Sequence, residues 1–225
     1  MVTHGIVAII PIRSLAEGKT RLINVLSPQQ RRALIEEMFA TVISAVRESG
    51  AIARIGVVSP DPDVLAAAER LHDGVTAINQ GMDRPGLNEA ANIGREWAES
   101  IEAGAMLMLF GDLPLLTPGD VQSLVRRDAP VVIATDRHGL GTNGLVLRLG
   151  GASSGHEFRF SYGPDSRQRH VEEADRLGME VITAIGTGTA FDLDTIDDLE
   201  RLGQTDGHLP AAVRSIDRLS REQTA

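Results

Sequence analysis

Three aspartates have the types and spacing of a site for a hard cation. Asp112 follows the unbroken apolar run of residues 105–110, inside Gly111-Asp112-Leu113-Pro114. A carboxylate at the carboxyl end of a buried strand borders a ligand crevice. Oxygen donors of this kind suit magnesium, which keeps much of its water. Asp192 and Asp194 alternate in Phe191-Asp192-Leu193-Asp194. Residues i and i+2 of an extended segment face the same side, so these carboxylates repel unless a cation relieves them. Capping is the structural alternative at each place. A turn or helix after Asp112 could equally be capped by Thr117 or Asp120, and Asp194 or Thr195 could cap a helix over 196–202.

Positive groups gather in the loop after the first apolar run. Arg13, Lys19 and Arg21 stand there, able to neutralise a triphosphate through their side chains. The run Gly18-Lys19-Thr20 invites comparison with a P-loop. That motif needs a glycine five residues before Gly18, where this chain has Arg13. Two later segments suit anions. Residues 136–143 offer glycines, the Thr142 hydroxyl and the Asn143 amide after a strand. Tyr162-Gly163-Pro164-Asp165-Ser166 leads into a helix whose first amides could seat a phosphate or carboxylate, with Ser166 adding a hydroxyl. The plain alternative for both is an ordinary turn. The six histidines lack paired ligand spacing, which argues against zinc, and only His138 and His170 lie near these segments.

Short apolar runs alternating with helical periodicity must position these groups. Strands are expected over 5–11, 53–59, 75–78, 105–110, 130–135, 144–149 and 179–184. Helices are expected over 29–48, 61–71, 88–102, 118–127, 166–177 and 195–202, with Asn88 capping the third. Runs that are apolar throughout, separated by helices, imply an α/β fold with a mostly parallel, doubly wound sheet and helices on both faces. One domain over 1–203 and a polar tail over 204–225 are expected. Of the 225 residues 42% are hydrophobic, the share of a globular chain. Net charge of -9 and 3% aromatics argue against a nucleic-acid or membrane binder. The absence of cysteine excludes disulfides, thiolate metal sites and cysteine nucleophiles. No run approaches the ~20 apolar residues of a membrane span. A soluble cytoplasmic protein is expected, and a homodimer is permitted.

Seven pieces in order, from Ile9 to Leu202, carry a resemblance. They are PIRSLAEGKTRL, LSPQQR, LNEA at Leu87 to Ala90, GDLPLL, TDRHGLGTNGLVL, the YGPDS turn with His170, and FDLDTIDDL. Together they resemble the phospholactate guanylyltransferase family of coenzyme F-420 biosynthesis, itself related to the molybdenum-cofactor guanylyltransferases. The resemblance implies a Rossmann-like nucleotidyltransferase fold, Mg2+ and GTP. It also implies transfer of GMP to a small phospho-acid, with phosphoenolpyruvate favoured over 2-phospho-L-lactate and 3-phospho-D-glycerate.

Carried over by position, Asp112, Asp192 and Asp194 would hold metal, and Thr142, Gly163 and Ser166 would seat the acceptor. Arg13, Lys19, Arg21 and Asn88 would face the nucleotide, with Lys19 and Asp112 central to catalysis. The family often has lysine in place of Arg13, and small or apolar residues in place of Asp165 and Arg167. The acceptor is a phosphate monoester, whose second pKa of about 6 leaves it ionised at neutral pH, so no general base is required. The alternatives are a relative acting on a molybdopterin or sugar phosphate, and a nucleotide-binding protein of the same fold without catalysis.

Overall fold

The computed structural model describes residues 5–71, 74–150 and 155–204. Apart from Gln204, which ends the last helix, the tail expected over 204–225 lies outside the described residues. Among the described residues seven strands form one sheet: β1 (Ile6–Pro11), β2 (Arg54–Ser59), β3 (Val75–Asn79), β4 (Ala105–Leu109), β5 (Val131–Thr135), β6 (Thr142–Arg148) and β7 (Val181–Ala184). Their order is β3-β2-β1-β4-β6-β5-β7. All pairings are parallel except those of β6, which runs antiparallel to both β4 and β5. The chain moves one way from β1 to β2 and β3, then crosses back to place β4 on the other side of β1. That reversal opens a crevice at the carboxyl ends of β1 and β4.

Seven α-helices among the described residues cover the sheet: α1 (Pro28–Glu48), α2 (Pro62–Leu71), α3 (Leu87–Ser100), α4 (Pro118–Val125), α5 (Ser166–Arg176), α6 (Thr187–Ala190) and α7 (Ile196–Gln204). Alternation along β1 feeds two cores. Ala8 and Ile10 face a core built with Leu34, Met38 and Phe39 of α1. Val7 and Ile9 face the opposite core with Ala90, Ala91 and Ile93 of α3. The fold is thus the α/β arrangement with helices on both faces that the alternation implies.

Local signals decide the helix starts. Ser27 and Gln30 form a capping box at α1, with Pro28 at the first turn. Thr117 and Asp120 form another at α4, so capping there is done without Asp112. Asn88 is not a cap. Helix α3 begins one residue earlier behind Gly86, whose φ of 97° suits glycine, and the Asn88 Oδ1 accepts the Tyr162 N–H at 2.7 Å. The expected helix over 88–102 also stops sooner, at Ser100.

Helix α3 lies close on β1 because residue 94 is glycine. A Cβ there would fall well inside contact distance of the Ile9 Cγ2. Ile9 is fully buried and belongs to the strand that carries the site loop. Gly94→Ala is therefore expected to lower folding stability by about 1–3 kcal/mol despite the better helix propensity of alanine. Urea unfolding of the two proteins measures the difference.

Candidate active site

The loop leaving β1 folds back through its own side chains. The Ser14 Oγ accepts the N–H groups of Ala16 and Glu17 at 3.1 and 3.3 Å. Lys19 has a left-handed backbone with φ of 54° and precedes a 3-10 turn over Thr20–Leu22. Leu15 and Leu22 are fully buried on either side and pin the loop. The Lys19 side chain is only 8% exposed, and its Nζ donates to the Asp112 Oδ2 at 2.7 Å and to the Asp194 Oδ1 at 2.8 Å. Burial opposes the ammonium charge, but the two carboxylates outweigh it and raise the lysine pKa above its usual value.

Asp112 reaches this point from the end of β4, and its backbone carbonyl accepts the Leu193 N–H at 3.3 Å. That bond fastens the segment bearing Asp192 and Asp194, with the fully buried Leu193 as its apolar anchor. Asp192 accepts weakly from the Asn143 Nδ2 at 3.4 Å. Burial pushes its carboxyl pKa up, and the charges of Asp112 and Asp194 add to the rise. Asp198 stiffens the other end. Its Oδ2 accepts the N–H groups of Asp194 and Thr195 at 3.0 and 2.8 Å, and its Oδ1 pairs with the Arg137 Nη2 at 2.5 Å. Burial works against the Asp198 charge, yet these donors hold its pKa below the usual range. Asp198 escaped the sequence reading, although Thr195-Ile196-Asp197-Asp198 has the spacing of a capping box.

A cavity of about 310 Å3 opens on this cluster, lined by Arg13, Ser14, Lys19, Phe110, Asp112 and Asp194 among others. A second cavity of about 590 Å3 adjoins it over the ends of β1 and β2 and beside the loop after β3, and shares Pro11, Ile12, Arg13 and Leu87. Arg21 is exposed on the 3-10 turn and belongs to neither lining. Asn88 is committed to Tyr162. Among the described residues no three His, Cys, Asp or Glu side chains gather tightly enough to enclose a metal ion. Two carboxylates do converge on one cation, and the Asp112 Oδ1 is buried with no hydrogen-bond partner among the described residues. Such an incomplete oxygen set fits magnesium, which is commonly held by one or two carboxylates plus water and substrate phosphates.

The candidate acceptor residues lie around His170. The His170 Nε2 accepts the Ser161 N–H at 3.0 Å, which puts the ring proton on Nδ1, facing the Thr142 Oγ1 at 3.1 Å. Thr142 therefore receives a hydrogen bond from the ring and can point its own proton elsewhere. Ser166 opens α5 and is buried. Its N–H donates to the Gly163 carbonyl, and the Arg167 N–H to Leu140, both at 3.1 Å. The expected seat of unpaired helix-start amides is corrected accordingly: the turn satisfies those two itself. Both His170 and Asn143 are buried polar residues of this region, and the Asn143 amide, expected to face an anion, instead donates to the Thr189 carbonyl and Asp192.

Residues 6–205 match the family described as guanylyl transferase CofC-like. The chain is 40% identical over 206 residues to a phosphoenolpyruvate guanylyltransferase of Rubrobacter xylanophilus, covering 90% of this chain and 96% of that one. Among solved structures, a candidate nucleotide-diphospho-sugar transferase of Desulfovibrio desulfuricans G20 superposes with a TM-score of 0.76 at 18% identity, over 96% of this chain and 97% of that one. A Mycobacterium tuberculosis H37Rv protein in complex with manganese superposes with a TM-score of 0.58 at 16% identity, over 90% and 100% of the two chains.

Burial of His170 depresses its pKa to about 4 from 6.5. A proton taken up only on unfolding makes the folded state lose stability as pH falls from 6.5 towards 4. The loss at this one group reaches on the order of 3 kcal/mol at most. Thermal melts between pH 7 and 4.5 are expected to show His170→Asn less stable at pH 7 but with a shallower acid slope than the parent protein. Parallel slopes would remove His170 from the account.

Proposed function

The chain belongs to the CofC-like guanylyl transferase family, and we propose that it transfers GMP from GTP to phosphoenolpyruvate, releasing pyrophosphate, in coenzyme F-420 biosynthesis. The carrying observation is the convergence of Lys19, Asp112 and Asp194 on one cavity at the switch point of the sheet. Rubrobacter xylanophilus supplies a relative named for phosphoenolpyruvate, which supports that acceptor over phospholactate or phosphoglycerate.

In this reading an oxygen of the acceptor phosphate attacks the α-phosphorus of GTP. A new phosphorus–oxygen bond forms, and the bond to the bridging oxygen of the β-phosphate breaks, its electrons leaving with pyrophosphate. The chain's own task is to hold two anions together in line. Lys19 turns from the carboxylates to the phosphates as nucleotide enters, and Arg13, at the junction of the two cavities, supports the same charge. Mg2+ would be held by Asp112 and Asp194, which already share one cation, with Asp192, close enough to feel both charges, as the third proposed residue, and would supply Lewis-acid charge neutralisation and alignment. The manganese of a structural neighbour supports a divalent ion in this role.

Thr142, Gly163 and Ser166 are proposed to seat the acceptor. The Thr142 proton, released by the His170 hydrogen bond, and the Ser166 hydroxyl, which has no protein partner among the described residues, are the donors available to it. Residues 1–203 are read as one catalytic domain, supported by the family match over 6–205. No helix among the described residues is long and apolar enough to cross a membrane, and the cytoplasm, where both substrates are metabolites, is the proposed location.

Pyrophosphate release is the assay. Protein, GTP and Mg2+ are expected to release it with phosphoenolpyruvate and much more slowly with phospholactate or phosphoglycerate. The opposite ranking would overturn the acceptor. Asp112→Asn keeps shape and loses charge, and is expected to reduce turnover roughly a hundredfold or more with unchanged circular dichroism. Ser166→Ala is expected to weaken acceptor binding roughly tenfold to a hundredfold while GTP binding stays within a few-fold. Equal losses for both substrates would take Ser166 out of the acceptor seat.

A further inference from the structure

The larger cavity carries one side chain whose hydrogen bonding is settled by its neighbours. Gln80 follows β3, is 7% exposed and lines that cavity. Its Nε2 donates to the Arg84 carbonyl at 2.7 Å and to the Gly86 carbonyl at 2.9 Å. Both partners accept only, so the amide cannot be flipped without losing both bonds. The Gln80 N–H is held by the Ser59 carbonyl at 3.0 Å. Of the side chain's polar atoms, Oε1 is left without a protein partner among the described residues. It is a fixed acceptor in a slot walled by Val58, Pro60, Met82, Leu87 and Ala90.

An apolar slot with one oriented acceptor suits a purine that presents donors along its pairing edge. Guanine offers N1–H and the N2 amino group there. With sugar and phosphates held by the β1 loop, adenine presents its N1 lone pair and C2–H at the same point. We propose that Gln80 is the residue that selects guanine, its Oε1 accepting from the base edge. The proposal rests on the guanylyl transfer reading above and assigns the larger cavity to the base and the smaller one to the phosphates.

The test is the ratio of kcat/KM for GTP to that for ATP, with phosphoenolpyruvate and Mg2+, in the parent protein and in Gln80→Met. Methionine keeps the length and removes the acceptor. The ratio is expected to fall roughly tenfold to a hundredfold, chiefly through loss of GTP use. A variant that merely loosened the Arg84–Gly86 turn would lose GTP and ATP use alike, and an unchanged ratio would overturn the proposal. A parent protein inactive with GTP would instead refute the guanylyl transfer reading, and one using both nucleotides equally would refute base selection by Gln80. Should Gln80→Met fail to fold, a crystal structure of the parent protein with GTP decides. Guanine donors within hydrogen-bond distance of the Gln80 Oε1 support the assignment, and a base elsewhere overturns it.

Discussion

The Lys19 ammonium, held between Asp112 and Asp194, is the contact on which the rest of the site depends. It joins residues 93 and 175 positions apart in sequence. A lysine head group this buried is costly unless paired, and two carboxylates this close repel unless a cation stands between them. Each partner therefore requires the other two. The arrangement also explains why three distant segments must meet at the same rim of the sheet. Leu15 and Leu22 fix the lysine loop, β4 delivers Asp112, and Leu193 holds the last segment down. With Asp192 already resisting ionisation beside them, the cluster is acidic beyond what one lysine offsets, which is the electrostatic condition that favours a divalent ion.

The reversed direction of β6 has a functional consequence. Parallel strands bring their carboxyl ends to the crevice rim, so a strand inserted between β4 and β5 in the same sense would begin at the opposite rim. Because β6 runs antiparallel, its first residues, Thr142 and Asn143, start at the working rim. The Asn143 carbonyl accepts the Phe110 N–H at 3.2 Å, while its side chain donates to the Thr189 carbonyl at 3.0 Å and to Asp192. One strand start thus ties the proposed acceptor side of the site to the carboxylate side. His170, carried by α5, reaches the same point through Thr142.

Much of this was legible in the sequence where the physics is local. Unbroken apolar runs marked the buried strands, and the rule that ligands sit beyond strand ends led to Asp112 and to the loop of Arg13 and Lys19. The i, i+2 spacing paired Asp192 with Asp194 around a buried Leu193. What stayed hidden depended on contacts between distant segments. Lys19 reads as a phosphate ligand from its loop alone, and nothing local says that it binds two carboxylates. Asn88 has the chemistry of a cap, yet Gly86 supplies the turn and frees the amide for Tyr162. The unpaired amides of a helix start are a sound expectation for α5 until the carbonyls of Gly163 and Leu140 are seen to occupy two of them. Gln80 left no signal, because its meaning comes from two carbonyls belonging to a turn that sequence patterning does not resolve.

A chain of net charge -9 that handles a triphosphate and a phospho-acid works against its own mean field. The screening length is about 8 Å at physiological ionic strength, so the average charge is felt weakly inside a crevice and the nearest groups decide. The nearest groups here are an arginine at the junction of two cavities and a lysine that the protein already holds charged. Paired with Asp112 and Asp194, that ammonium is neutralised towards arbitrary anions. In the proposed reading, a polyphosphate bringing its own divalent ion would compete for it, the ion taking the carboxylates as the phosphates take the lysine. An anion arriving alone offers no such exchange. The ion pair would thus also be a means by which a strongly acidic protein favours a metal-bound nucleotide over the many other phosphates around it.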